Sequence, residues 1–162
     1  MGYGRTVAPF TVEYLKSILW WDDERCEWMW NVDKGPSARK GDLAGGFHDG
    51  YLELKIDDKS YRSSNLVWYL NTGEWPLIGV DHKDQNSSND RFANLRLATH
   101  SQNMANTTLK PGASGIRGVC QDRGRWYAQI SGKWLGYFDT KEEAKAARHK
   151  AAIEKWGFDP DG

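Results

Sequence analysis

Three side chains in one stretch have the types and spacing to run hydrolytic chemistry: Asp81, the adjacent His82, and Asn103 twenty-two residues after Asp81. Hydrolysis of a phosphodiester needs an in-line water, a base for its proton and positive charge on the developing oxyanion. A carboxylate (Asp81) and an amide carbonyl (Asn103) are oxygen ligands suited to a hard divalent cation that keeps waters and takes a phosphate oxygen. An imidazole is the side-chain type suited to act as the base, and His82 supplies one. On a strand it points away from Asp81, so it can address the water without binding the same ion.

The elements that must position these groups are legible around them. Lys83 to Asp90 is a polar loop with no apolar residue. A short segment with apolar Leu95 and Leu97 begins at Asn94, and Thr99 or Ser101 starts a helix that carries Asn103. Asp, His and Asn are thereby brought round a hairpin and onto a helix. From the residues alone other readings stay open. His82 also suits a satisfied hydrogen-bonding role, and Asn94 and Asn103 suit a turn and a helix cap.

Charge and composition bound the rest. The 162 residues suit one ordinary domain or two small ones, and nine Trp can build compact cores from few positions. Net charge is zero, but residues 107–157 hold ten Lys/Arg against five Asp/Glu, while residues 1–106 hold twelve against fifteen. The C-terminal third is thus the electropositive part. Cys26 and Cys120 stand far apart with no CxxC, which rules out a zinc site made of Cys pairs and favours two free thiols. Residues 1–15 lack the apolar core of a secretory signal. No apolar run approaches the ~20 residues of a membrane span, so the expectation is a soluble, cytoplasmic protein with no membrane partner.

In chain order, Thr11 caps a helix expected to run through Trp20, and the stretch after it alternates with Cys26, Trp28 and Trp30 on one face. Residues 34–46 form a turn-rich loop in which Arg39 and Lys40 could touch a phosphate backbone. Residues 51–56 and 60–62 read as a hairpin, and Asn65–Leu70 as a short buried helix ended by Gly73. Residues 107–114 contain Pro, Gly and Ser without periodicity and read as a linker. Beyond it come strands at Ile116–Gln121, Arg125–Ser131 and Lys133–Phe138. A helix capped at Asp139 or Thr140 then runs through Trp156, with an alanine face (Ala144, Ala147, Ala151, Ala152). On the middle strand Arg125, Tyr127, Gln129 and Ser131 share one face, and Trp126, Ala128 and Ile130 the other.

The motifs Asp81-His82, Asn89-Asp90-Arg91, Asn94-Leu95-Arg96 and Ser101-Gln102-Asn103, with Asn106 after, resemble the HNH endonuclease family of the phage and intron-encoded homing type. GDLAG (Gly41–Gly45), DGYLEL (Asp49–Leu54) and LVWYLNTGEWP (Leu66–Pro76) resemble its preceding strands and helix, so the likeness spans roughly residues 10–106. It implies a ββα-metal (His-Me finger) fold over about 76–106. It also implies Asp81 and Asn103 as metal ligands, His82 as general base and Asn94 as the catalytic-loop brace. Mg2+ is the expected ion, with Mn2+ as the alternative. Asn103 stands where the family often has His. His100, three residues earlier, competes for that place, and spacing favours Asn103. Ser63-Ser64-Asn65 stands where members often carry His-Arg.

Residues 114–157 resemble the plant ethylene-response-factor DNA-binding domain (the AP-two fold). The landmarks are Arg117-Gly118-Val119, Gly124-Arg125-Trp126, Leu135 to Thr140 and Glu142-Glu143-Ala144. The likeness implies a three-stranded antiparallel sheet on one helix, laid in the major groove. Arg117, Arg123, Arg125, Tyr127, Gln129, Lys133 and Trp134 would meet DNA: Arg can read guanine, Gln adenine, and the others phosphate or sugar. Cys120 and Asp122 depart from the basic residues usual there.

The expected fold class is therefore α+β. An N-terminal ββα-metal nuclease domain (1–106) is followed by a linker (107–114) and a small three-stranded sheet packed on one helix (115–157). The expected activity is metal-dependent cleavage of double-stranded DNA by a monomer that nicks one strand, or by a homodimer that cuts both, in a bacterial or phage-infected cell. A catalytically inactive sequence-specific DNA-binding regulator is the competing expectation.

Overall fold

A computed structural model describes residues 7–106 and 112–160. It is a mixed α/β architecture of small antiparallel sheets. The chain divides into two compact units, Met1–His100 and Ser101–Gly162. The expected linker, residues 107–114, falls mostly outside the described residues. Among the described residues no helix is long and apolar enough to cross a membrane.

The first unit opens with α1 (Val12–Ile18), whose N-terminus is capped by the Thr11 hydroxyl accepting from Tyr14 N–H at 3.1 Å. The helix stops two residues before the expected Trp20. Leu19 is already extended and pairs with Trp30, so β1 (Leu19–Asp22) joins β2 (Glu27–Trp30) and β3 (Leu43–Ala44) in one sheet. Cross-strand packing of Trp21 on Trp28, ring centroids 5.1 Å apart, outweighs the helical continuation.

A second sheet follows from β4 (Gly46–His48), β5 (Tyr51–Ile56) and β6 (Lys59–Arg62). Alternation along β5 sends Leu54 and Ile56 inward. Next, α2 (Ser63–Thr72) ends at Gly73 in the left-handed region, φ 73°, where glycine carries no Cβ penalty. Leu15, Leu19, Trp28, Leu54, Leu66 and Val67 form one core, and the buried Trp28 indole donates to Ser63 Oγ at 2.9 Å.

The last strands of this unit are β7 (Gly79–His82) and β8 (Leu95–Ala98), with a single 3-10 turn at Phe92–Asn94 just before β8. Then comes α3 (His100–Ala105). Most of α3 belongs to the second unit rather than to a 1–106 domain. The reason is local: Ala105 is buried with Ile130, Ala152 and Trp156, and Gln102 Nε2 donates to Trp156 O at 2.8 Å.

The second unit carries β9 (Val119–Asp122), β10 (Arg125–Ile130) and β11 (Lys133–Phe138) as one antiparallel sheet, with β10 central. One helix, α4 (Lys141–Trp156), packs on it, with Val119, Ala128 and Ala144 closed against each other. Thr140 and Glu143 form a reciprocal capping box at its start, and Gly157 closes it at φ 81°. Gly118 fits a close approach: a Cβ there would lie 2.3 Å from Gln129 O.

Candidate functional site

Strand alternation sends Asp81 and His82 to different partners, and both are buried, each 6% exposed. Across the ladder, Asp81 faces Arg96. The guanidinium holds Asp81 Oδ2 through Nε at 2.9 Å and Nη2 at 2.8 Å. His82 pairs in register with Leu95, while its Nε2 lies 2.7 Å from Oδ1 of Asp90, a carboxylate only 3% exposed.

The polar loop between β7 and β8 owes its shape to hydrogen bonds, since it has no apolar side chain to bury. Asp84 is the hub. Its Oδ2 accepts from Asn89 Nδ2 at 2.7 Å, and its Oδ1 accepts from Asn94 Nδ2 at 2.9 Å and from Asn86 N–H at 2.9 Å. Asn94 Nδ2 also donates to Asn89 O at 2.8 Å, and its Oδ1 accepts from Asp84 N–H at 3.2 Å. Burial alone would push the Asp84 carboxyl up. The bonds from Asn89, Asn86 and Asn94, with the nearby His82, outweigh it and hold the pKa below the ordinary carboxylate value. Beyond Asp90 the chain is gripped by the β1–β2 turn: Arg91 Nη2 donates to Glu24 O, and Phe92 N–H donates to Asp23 Oδ1 at 3.1 Å. The Phe92 ring packs on Trp68 of α2, centroids 5.6 Å apart.

Asn94 thus joins Asp84 to Asn89 through its side-chain amide. Asn103 lies on α3, exposed, in the second unit. Among the described residues there is no group of three or more His, Cys, Asp or Glu that could hold a metal ion. A magnesium-type ion needs fewer protein ligands, because it keeps several waters and binds through one or two carboxylates plus substrate phosphate oxygens. The donor chemistry of Asp81 with an amide oxygen fits such an ion.

Residues 61–105 match the HNH endonuclease family. The match begins within β6 and ends with α3, so the HNH stretch sits in the middle of the chain rather than at its N-terminus. It encloses Asp81, His82, Asp90, Asn94, Arg96 and Asn103. No curated protein and no solved structure matches the chain.

Beyond the HNH stretch, the outer face of the second unit's sheet is richer in rings than in charge. Tyr127 stacks on Trp134 with centroids 5.0 Å apart and planes at 25°, and Tyr137 meets both edge-on. A register shift at Ala128/Gln129 places Gln129 opposite Trp134 and leaves Leu135 as the extra residue, which brings Trp134 onto this face. Trp134 is 50% and Tyr137 46% exposed. Arg125 lies over the Tyr137 ring and bonds Asp139 at 3.3 Å, while Tyr137 donates to Asp122 at 3.0 Å, which raises the phenol's pKa. Arg123 stands exposed in the β9–β10 turn, and Lys133 is exposed at the start of β11. Arg117 stands apart from this group. It precedes β9, is half-buried, and donates through Nη1 to Ala105 O.

Sequence reasoning does not single out Asp84, Asp90 or Arg96 as site residues, and it reaches Tyr137 only as a family landmark. Asp90 and Arg96 do lie within the HNH-like motifs. The signal that could have found them is the excess of Asn and Asp in a loop that must satisfy itself with hydrogen bonds.

Proposed function

We propose that this chain is a divalent-metal-dependent DNA endonuclease that hydrolyses phosphodiester bonds, of the homing type, acting as a monomer that nicks one strand. The observation that carries the reading is the HNH family match at residues 61–105, which encloses a buried histidine held by a carboxylate. In this reading Asp81 and Asn103 supply oxygen ligands to Mg2+, or to Mn2+. The ion supplies Lewis-acid stabilisation of the phosphate oxygens.

His82 takes the proton from the attacking water, with its ring oriented through the contact to Asp90. Asn94 keeps the loop in shape by joining Asp84 to the backbone of Asn89. Arg96 balances the Asp81 charge. The sheet of the second unit docks duplex DNA through Arg123, Arg125, Tyr127, Gln129, Lys133 and Trp134, in the manner of the AP-two resemblance. Arg117 contributes positive charge beside it.

The test is cleavage of supercoiled plasmid in Mg2+ by the native chain and by His82→Ala. The expected result is nicking by the native chain, lost in the variant, with DNA binding retained in both. Equal nicking by both chains removes His82 from the reaction. Binding without nicking by either identifies a DNA-binding regulator instead.

A further inference from the structure

We propose that Asp90 is the positioning residue of the site, fixing His82 as the tautomer that carries its proton on Nε2 and its lone pair on Nδ1. The inference rests on the reading of His82 as the base and deepens it.

In a neutral imidazole one ring nitrogen donates and the other accepts, and the partner of one decides the role of the other. Asp90 Oδ1 sits 2.7 Å from Nε2. With Asp90 Oδ1 as the acceptor at that distance, Nε2 is the donor, which in the neutral ring leaves the lone pair on Nδ1. Both partners are almost fully buried, so solvent does not compete for either side of the contact. The logic is that of a triad in which a buried carboxylate selects the tautomer and orients the ring.

The carboxylate is itself held from both sides. Asn89, its predecessor, is tied to Asp84 and Asn94, and Arg91 and Phe92, its successors, are tied to Glu24 and Asp23. The loop therefore delivers Asp90 to Nε2 as a fixed point. A buried polar or charged pair kept for stability alone gains little over a well-packed apolar pair, because desolvation offsets the attraction. Here the polar alternative is retained beside Asp81, with a loop of hydrogen bonds that presents it. That arrangement suits a role in orienting a reacting group.

The experiment is 15N spectroscopy of the full chain, with His82 assigned by comparison with His82→Ala, alongside plasmid-nicking kinetics of the wild type, Asp90→Asn and Asp90→Ala. The expected wild-type ring carries a hydrogen on Nε2, the nitrogen that faces Asp90. Asp90→Asn, whose amide can donate as well as accept, is expected to shift the ring toward a mixture of tautomers. Its kcat should fall about 10–100-fold with KM within about twofold, and Asp90→Ala should fall further.

A wild-type ring protonated on Nδ1 alone, or a folded Asp90→Asn chain with unchanged tautomer and kcat, overturns the proposal. Should Asp90→Ala fail to fold, the wild-type spectrum and Asp90→Asn decide. If His82→Ala nicks as fast as the wild type, the reading of His82 as the base falls, and if nothing nicks, the nuclease reading falls. The tautomer in wild type and in Asp90→Asn still decides whether Asp90 sets the imidazole.

Discussion

Arg96 faces Asp81 across the β7–β8 ladder and places two nitrogens on a single oxygen, Oδ2, of its carboxylate. Removing the guanidinium takes from a buried anion the positive charge that faces it across the ladder. Arg96→Ala should therefore destabilise the first unit by about 2–4 kcal/mol. A cation bound at Asp81 would replace that charge, so added Mg2+ should raise the variant's melting temperature more than the wild type's. Thermal unfolding of both chains with and without the ion checks this, and equal shifts would place the ion elsewhere.

Asp84 gives the loop a pH dependence with a definite sign. Its pKa is lower folded than unfolded, so its contribution is present above the ordinary carboxylate range. It is lost as pH falls through the lower, folded value. Hydrogen exchange at the backbone amide of Asn86 and the side-chain amide of Asn94, both of which donate to Asp84, should accelerate on acidification, after correction for intrinsic rates. Asp84→Asn should flatten that dependence while opening the loop at neutral pH, and a loop equally protected at acid and neutral pH would refute the assignment.

Among the described residues Arg125 bonds an exposed Asp139 and lies over Tyr137, so its loss costs about 0–1 kcal/mol of stability. If the sheet docks duplex DNA, Arg125→Ala should weaken binding and reduce the slope of log K against log salt by about one for each phosphate that it neutralises. Trp134→Ala should weaken binding without changing that slope. Salt titrations of binding separate the two, and an unchanged slope in Arg125→Ala would remove it from a phosphate.

Gly118 and Gly124 form a matched pair. Both have positive φ, 69° and 83°, but only at Gly118 does a Cβ meet a neighbour, Gln129 O at 2.3 Å, whereas at Gly124 nothing lies within 4 Å. Gly124→Ala should cost about 1–2 kcal/mol, the penalty of left-handed backbone for an L side chain. Gly118→Ala should cost more, because backbone must move. Chemical denaturation of the two variants checks the order.

The parts legible in the sequence are those in which local pattern and tertiary demand agree. Period-two alternation over Arg125–Ser131 marks β10, and Thr140 with Glu143 marks the start of α4. The end of α1 is not legible, because Leu15 and Ile18 continue in helical spacing while Trp21 and Trp28 pair across strands. In the site, the Asp81-His82 dipeptide stands out, but the partners of its two side chains do not. A twelve-residue connection between β7 and β8 imposes no register, so nothing local says that Arg96 will oppose Asp81 or that Asp90 will reach His82.

The extra residue at Leu135 makes the outer sheet face sensitive to chain length rather than to side-chain identity. Exchanging one ring for another among Tyr127, Trp134 and Tyr137 keeps a ring there. Loss of the bulge at the native chain length would turn Trp134 toward α4 and dismantle the trio at once, whereas deletion of Leu135 would leave Trp134 two positions before Tyr137, on the same face of a regular strand. Divergent copies of this unit should accordingly vary freely in which aromatic they use while keeping either the bulge or a strand one residue shorter at that point.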